Sequence, residues 1–73
     1  MLKQAMELTF SQWFLIKRRS RSLTQDDVAA ELGVTKQTVS NWERSVSSPS
    51  LTIPQFKKLT QLLDCNLDDF PNP

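Results

Sequence analysis

The residues between 35 and 44 have the side-chain types that form hydrogen bonds with the edges of nucleic-acid bases. If this segment is a helix, its turn of about 100° per residue puts Val39 and Trp42 on one side, which the core would bury. The opposite side and the first turn then carry two amides and two cations: Lys36, Gln37, Asn41 and Arg44. Amide side chains pair with adenine, and Lys or Arg pairs with guanine. A generic solvated helix face also favours these residue types, so the pattern alone leaves both interpretations open.

Two short helices are needed to position that face, and residues 23–43 contain the start signals of both. Thr24 and Thr35 are of a preferred N-cap type. Each is preceded by an apolar residue and followed by another four positions later, which is the hydrophobic-staple spacing. Gly33, the only glycine in the chain, supplies the positive φ required just past the end of the first of these helices. The segment therefore predicts a helix–turn–helix whose polar second helix suits the DNA major groove.

The same start signal recurs at Thr9, Thr52 and Asn66, each followed three residues later by Gln or Asp. The five signals predict five helices, at about 9–20, 24–32, 35–44, 52–64 and 66–70. No alternating apolar run supports a β-strand. The expected fold is therefore all-α, a compact five-helix domain with a helix–turn–helix at its second and third helices.

A chain of 73 residues has room for one domain. We expect residues 9–70 to form it, with 1–8 as an N-terminal arm or an extension of the first helix and 71–73 as a tail. The predicted core consists of apolar residues spaced along the helices: Phe10, Phe14, Val28, Ala29, Leu32, Val34, Val39, Trp42, Phe56, Leu59, Leu62, Leu63 and Leu67. Cys65 is the single cysteine, which excludes an internal disulfide, and its expected role is to fill space.

The composition argues against an enzyme. The chain has no His and no Tyr, its one Cys lacks a base, and it has neither a metal-ligand cluster nor a phosphate-cradling glycine loop. We therefore expect no catalytic residue, no metal, no cofactor and no small-molecule ligand. The longest apolar run near the N-terminus, residues 13–16, is too short for a signal peptide or a membrane span. These features favour a cytoplasmic protein associated with the nucleoid.

The charges are uneven along the chain although the net charge is only +1. Four cations cluster at the end of the first predicted helix: Lys17, Arg18, Arg19 and Arg21. They could contact phosphates, but cations are also favoured at any helix C-terminus. Glu43 lies at the edge of the buried side of the 35–44 helix, where a carboxylate needs a partner. Arg18 and Arg19 are the partners that the first helix offers.

These stretches together resemble the phage-repressor (Cro/Xre-type) DNA-binding domain over about residues 10–70. The matching segments are LTQ at 23–25, VAAELGV at 28–34, TVSNWE at 38–43, PSL at 49–51 and LLDCNLDDF at 62–70. The resemblance implies a five-helix fold in which the third helix is the recognition helix. It also implies base contacts from Lys36, Gln37 and Asn41, a phosphate-gripping and bracing role for Gln25, and a buried salt bridge between Arg18 and Glu43.

The chain departs from the family pattern at two turns and one loop. Ser22 and Ser45 stand where the family usually has glycine, so these turns either adopt another backbone or carry strain. The loop after the third helix, usually basic, is rich in serine here, so its phosphate contacts would be neutral hydrogen bonds. The full set of candidate phosphate contacts is Gln25, Lys17, Arg19, Arg21, Thr38, Ser40, Ser47 and Ser48.

Two functions remain open at this level. The first is a transcriptional regulator that binds specific double-stranded DNA, for which a homodimer on an inverted-repeat site is a compatible arrangement. The second is a protein-interaction module that keeps the repressor-like fold without binding DNA. The amides and cations of the 35–44 helix favour the first, whereas the near-neutral charge and the serine loop favour the second.

Overall fold

A computed structural model describes residues 8–71 of the chain. It contains four α-helices, which we label α1 (Phe10–Ser20), α2 (Gln25–Leu32), α3 (Lys36–Glu43) and α4 (Ile53–Leu63). A 3-10 turn, Leu67–Asp69, follows α4, and no strand occurs within the described range. Of the predicted arm only Leu8 lies within this range, and of the predicted tail only Pro71 does.

The prediction of a fifth helix at 66–70 is wrong, because the segment forms only a single 3-10 turn. Its hydrogen bonds, Asp69 N–H to Asn66 O and Phe70 N–H to Leu67 O, span three residues instead of four. Phe70 has an extended backbone (φ −69°, ψ 137°), as expected for a residue that precedes a proline. Pro71 thus ends the segment before an α-helical turn can form. Across residues 8–71 the architecture is all-α with four helices.

Threonine side chains begin all four helices. In each case the hydroxyl accepts a hydrogen bond from the backbone N–H three residues later, at Thr9, Thr24, Thr35 and Thr52. Three of these are complete capping boxes, in which Gln12, Asp27 or Gln55 bonds back to the N-cap backbone. Since the cap residue itself is not helical, each helix starts one residue later than predicted.

Two serines adopt a backbone that is normally left to glycine. Gly33 ends α2 with φ 73°, and Ser22 and Ser45 have φ 59° in the turns after α1 and α3. Of the two alternatives expected for these turns, a different backbone or strain, the positive φ of both serines corresponds to strain. A side chain in this region costs about 1–2 kcal/mol.

Nine residues from all four helices form the buried core: Trp13, Phe14, Val28, Ala29, Leu32, Val39, Trp42, Leu59 and Leu63. Most were predicted, but Trp13 was not. Leu67, predicted to be buried, is 62% exposed. Phe70, and not Leu67, packs against the core after α4, with its ring centroid 4.6 Å from that of Trp13. The predicted core residues Phe10, Val34, Phe56 and Leu62 are half-buried, and Cys65 packs against the core edge.

Candidate nucleic-acid interface

The corner between α2 and α3 fixes the direction of α3. Gly33 ends α2 in the left-handed conformation, and Val34 N–H donates to Ala29 O at 3.0 Å. Ala29 is small and buried, which allows the two helices to approach closely. Val39 and Trp42 hold the inner side of α3 in the core, Val39 completely buried. The opposite side of α3 is consequently turned to solvent.

The solvent-facing side of α3 contains the four candidate base-contacting residues, which we call the reading face: Lys36, Gln37, Asn41 and Arg44. Lys36, Gln37 and Arg44 are exposed, and Asn41 is half-buried. Arg44 was expected inside the helix but is its C-cap residue. The oxygen Oδ1 of Asn41 accepts from Nε2 of Gln37 and from Nη2 of Arg44, both at 2.9 Å. Three of the four side chains thus form one hydrogen-bonded chain.

Lys36 is linked to α2 instead. Its Nζ lies 3.9 Å from Oδ2 of Asp26, with 62% and 72% of the two side chains exposed. An ion pair this exposed contributes little to stability. Lys36 is therefore free to exchange Asp26 for another anion or acceptor.

A buried ionic network holds the end of α3 against α1 and α2. Arg18 Nε donates to Glu43 Oε2, and Arg18 Nη2 donates to Glu43 Oε1 at 3.0 Å. Gln25 Nε2 donates to the same Oε1 at 2.9 Å. Arg18 Nη1 donates to Leu23 O at 2.7 Å in the α1–α2 turn. The side chains of Arg18 and Glu43 are only 10% and 6% exposed. We call Arg18, Gln25 and Glu43 the brace.

The brace settles the protonation state of its carboxyl group. Burial alone would raise the pKa of Glu43. The hydrogen bonds from Arg18 and Gln25, together with the positive charges of Arg18 and Arg19, outweigh burial and bring that pKa below its ordinary value. Glu43 is therefore ionised at neutral pH, as a bidentate partner of a guanidinium must be.

The cations at the end of α1 lie near two different parts of the fold, the end of α3 and the end of α4. Arg19 is exposed and near enough to Glu43 for its charge to lower the pKa of that carboxyl. Arg21 Nη1 lies 3.8 Å from Asp64 Oδ2, at the end of α4. Lys17 is half-buried, and its charge acts on Cys65, whose pKa is nevertheless raised by burial. Of these candidate phosphate contacts, Arg19 is the one that lies toward the end of α3.

The hydroxyl-bearing candidates occupy different positions. Thr38 is half-buried, and its hydroxyl bonds to that of Thr35 at 2.9 Å, within the first turn of α3. Ser40 is half-buried on α3, whereas Ser47 and Ser48 are exposed in the loop that follows. Gln25 is half-buried and already gives one N–H to Glu43.

Ser11 positions α3 but was not identified in the sequence. Its Oγ donates to Trp42 O at 2.7 Å and lies 2.7 Å from Ser45 Oγ, so it joins the start of α1 to the end of α3. Gln55 has a similar role for α2, because its Nε2 donates to Leu32 O at 3.0 Å. The capping box at Thr52 identifies Gln55 as a helix-start residue, but no local signal marks either long-range bond.

Within residues 8–71 there is neither a candidate metal site nor a candidate membrane span. No group of three or more His, Cys, Asp or Glu in that range could hold a metal ion. None of the helices in it has the length and apolarity to cross a membrane.

Comparison with known proteins assigns the chain to a family. A helix-turn-helix family model matches residues 16–70, which is most of the chain and includes the α2–α3 corner, the reading face and the brace. Searches of curated proteins and of solved structures gave no significant match. The family is one of DNA-binding regulatory domains and is not typically enzymatic. The chain belongs to the Cro/C1-type helix-turn-helix family.

Proposed function

We propose that the protein regulates transcription by binding a specific double-stranded DNA sequence, with α3 in the major groove. The observation that carries this proposal is the composition of the reading face: two amides and two cations, opposite a side held in the core. An α-helix with its side chains is about 10–12 Å across, which fits the roughly 12 Å width of the major groove. Lys36, Gln37, Asn41 and Arg44 would contact base edges from this position.

Phosphate contacts would orient α3 in the groove. Gln25 belongs to the brace, and Arg19 lies near Glu43. The hydroxyls of Thr38, Ser40, Ser47 and Ser48 lie on α3 or in the loop after it. Lys17 and Arg21 are weaker candidates, because they lie near Cys65 and Asp64 respectively. Since one module of this size covers little DNA, we propose a homodimer on an inverted repeat with half-sites about 10 base pairs apart.

A protein-interaction module is the alternative. The net charge of +1 and the neutral loop after α3 favour it, because both reduce attraction to phosphates. The two functions differ in their response to salt and to DNA sequence.

The test is selection of bound DNA from a random pool, followed by affinity measurements between 50 and 200 mM salt. We expect one enriched motif, and log affinity that falls with log salt by about 0.9 per neutralised phosphate. Gln37→Ala and Asn41→Ala should each lower affinity for the selected site by about 1–3 kcal/mol and relax the choice at one base pair. Gln61→Ala removes an exposed amide from α4 and serves as the control, with no expected change.

Two results would contradict the proposal. One is a flat salt response with no enriched sequence, which would leave the protein-interaction module as the better account. The other is an unchanged rank order of DNA sites in both α3 variants, which would show that the reading face does not choose the sequence.

A further inference from the structure

The amide of Asn41 has an unequal share of free hydrogen-bonding groups. A carbonyl oxygen has two lone pairs, and Oδ1 of Asn41 accepts two donors, Gln37 Nε2 and Arg44 Nη2, each at 2.9 Å. With the opposite amide orientation, an NH2 group would face two N–H donors, so only this orientation satisfies the chain. Asn41 therefore has two N–H donors available to a ligand and no free acceptor.

Gln37 keeps both kinds of group. It gives one N–H to Asn41 and retains its second N–H together with the oxygen Oε1. That donor and acceptor together match adenine, which presents N7 as acceptor and N6–H as donor in the major groove. Gln37 and Asn41 are the same chemical type one helical turn apart, yet they present different patterns.

Resting on the proposed function, we propose that Arg44 is a positioning residue that makes Asn41 select guanine over adenine. Guanine presents two acceptors in the major groove, O6 and N7, and the donor-only NH2 of Asn41 can bond either without using the amide oxygen. Adenine presents the donor N6–H, but the only acceptor of the Asn41 side chain, Oδ1, already accepts hydrogen bonds from Gln37 and Arg44. To read adenine, Asn41 would have to release the bond from Arg44, which is charge-assisted and the stronger of the two.

This assignment differs from the usual pairing of asparagine with adenine, because that pairing requires a free amide oxygen. The difference comes from Arg44, which lies three residues after Asn41 and follows the last residue of α3. Arg44 thus influences a base that it need not touch.

The experiment uses four versions of the selected DNA site, one for each base pair at the position whose preference Asn41→Ala removes. For the wild type we expect guanine over adenine at that pair by about 5- to 150-fold in affinity. Asn41→Asp keeps an acceptor for Gln37 and Arg44 but replaces the NH2 with a second acceptor. Its expected effect is a reversal, with cytosine or adenine, which present amine donors, preferred over guanine.

Arg44 is tested by the ratio of guanine to adenine affinity instead of by affinity alone. Arg44→Ala should move this ratio toward one or below, because the Asn41 oxygen regains a lone pair. Arg44→Lys, which retains an N–H donor, should restore the ratio. Arg19→Ala removes an exposed cation of α1 and is the matched control, expected to weaken all four variants of the site equally.

A wild-type preference for adenine at this pair would overturn the inference. So would a ratio of guanine to adenine affinity that is the same in Arg44→Ala as in the control Arg19→Ala. Equal losses in Arg44→Lys and Arg44→Ala would also contradict it, because donation would then not be the cause. These outcomes leave sequence-specific binding intact. Binding without any sequence preference would instead contradict the proposed function as well.

Discussion

Removal of the Glu43 carboxylate should destabilise the fold strongly, because it breaks the brace that joins α1, α2 and α3. Glu43→Ala deletes three hydrogen-bond interactions, two with Arg18 and one with Gln25. Arg18 keeps only its bond to Leu23 O, and its side chain is 10% exposed. A guanidinium charge is then left in the protein interior without its counter-charge.

The expected cost is large relative to the total stability. Breaking a buried ion pair by removing one partner costs about 3–5 kcal/mol, mainly because a charge is left uncompensated. A domain of this length has a total stability of only several kcal/mol. Since 1 kcal/mol corresponds to about 4–8 °C in a small domain, the melting temperature should fall by more than about 12 °C.

The assay is urea denaturation followed by tryptophan fluorescence, since Trp13 and Trp42 both lie in the core. Glu31→Ala is the matched control: Glu31 pairs with Lys58 at 3.7 Å on the surface, where its side chain is 52% exposed. That change should cost less than about 1 kcal/mol. If Glu43→Ala costs no more than Glu31→Ala, the brace does not stabilise the fold as argued.

Two further predictions concern pH and the strained turns. Because the pKa of folded Glu43 is lowered, its stabilisation is complete above about pH 4.5 and is lost as the pH falls below that value. Urea midpoints between pH 3 and 7 should show a steeper acid loss for the wild type than for Glu43→Gln, and equal slopes would assign the loss to other carboxyls. Ser22→Gly should stabilise the protein by up to about 1 kcal/mol by relieving its positive φ. Ser45→Gly should gain less, because it also loses the hydroxyl contact with Ser11; an equal gain in melting temperature would show that this contact is worth nothing.

Local signals were sufficient to locate the helices. A threonine cap needs only its own hydroxyl and a backbone N–H three residues away, so the four helix starts can be found without tertiary information. The turn at Gly33 is equally local, because it depends on the φ preference of one residue. The Arg18–Glu43 contact is not local: the cost of burying a lone carboxylate indicated only that Glu43 needs a partner, with Arg18 and Arg19 as candidates, and the family resemblance implied Arg18.

One error came from the short segment before Pro71, and the others arose where tertiary packing decides the outcome. The signal at Asn66 was real, since Asp69 does bond back to its N–H, but the segment is too short to continue as a helix before Pro71. The apolar spacing did not distinguish Leu67 from Phe70 as the residue that packs on Trp13. The bonds made by Ser11 join residues 31 and 34 positions apart, and nothing in the local sequence marks them.

The reading face was predictable in composition but not in hydrogen bonding. Helical periodicity is enough to put Gln37, Asn41 and Arg44 on one side. Helical periodicity does not predict which of the two amide oxygens accepts hydrogen bonds from its neighbours. That depends on the conformation of Arg44, the C-cap residue outside the helical repeat. On the proposed function, the preference of each amide for a base would therefore be a property of the folded helix end.

If α3 reads DNA as proposed, stability and base choice depend on successive residues at its end. Trp42 O accepts a hydrogen bond from Ser11, and the Glu43 carboxylate accepts hydrogen bonds from Arg18 and Gln25. Arg44 donates a hydrogen bond to Asn41. A variant that lowers only the folded fraction weakens binding to every DNA sequence by the same factor. Glu43→Ala should therefore leave the ratio of guanine to adenine affinity unchanged while affinity falls, whereas Arg44→Ala should change the ratio in a protein that remains folded. A changed ratio in Glu43→Ala would mean that the brace also sets the orientation of the reading face.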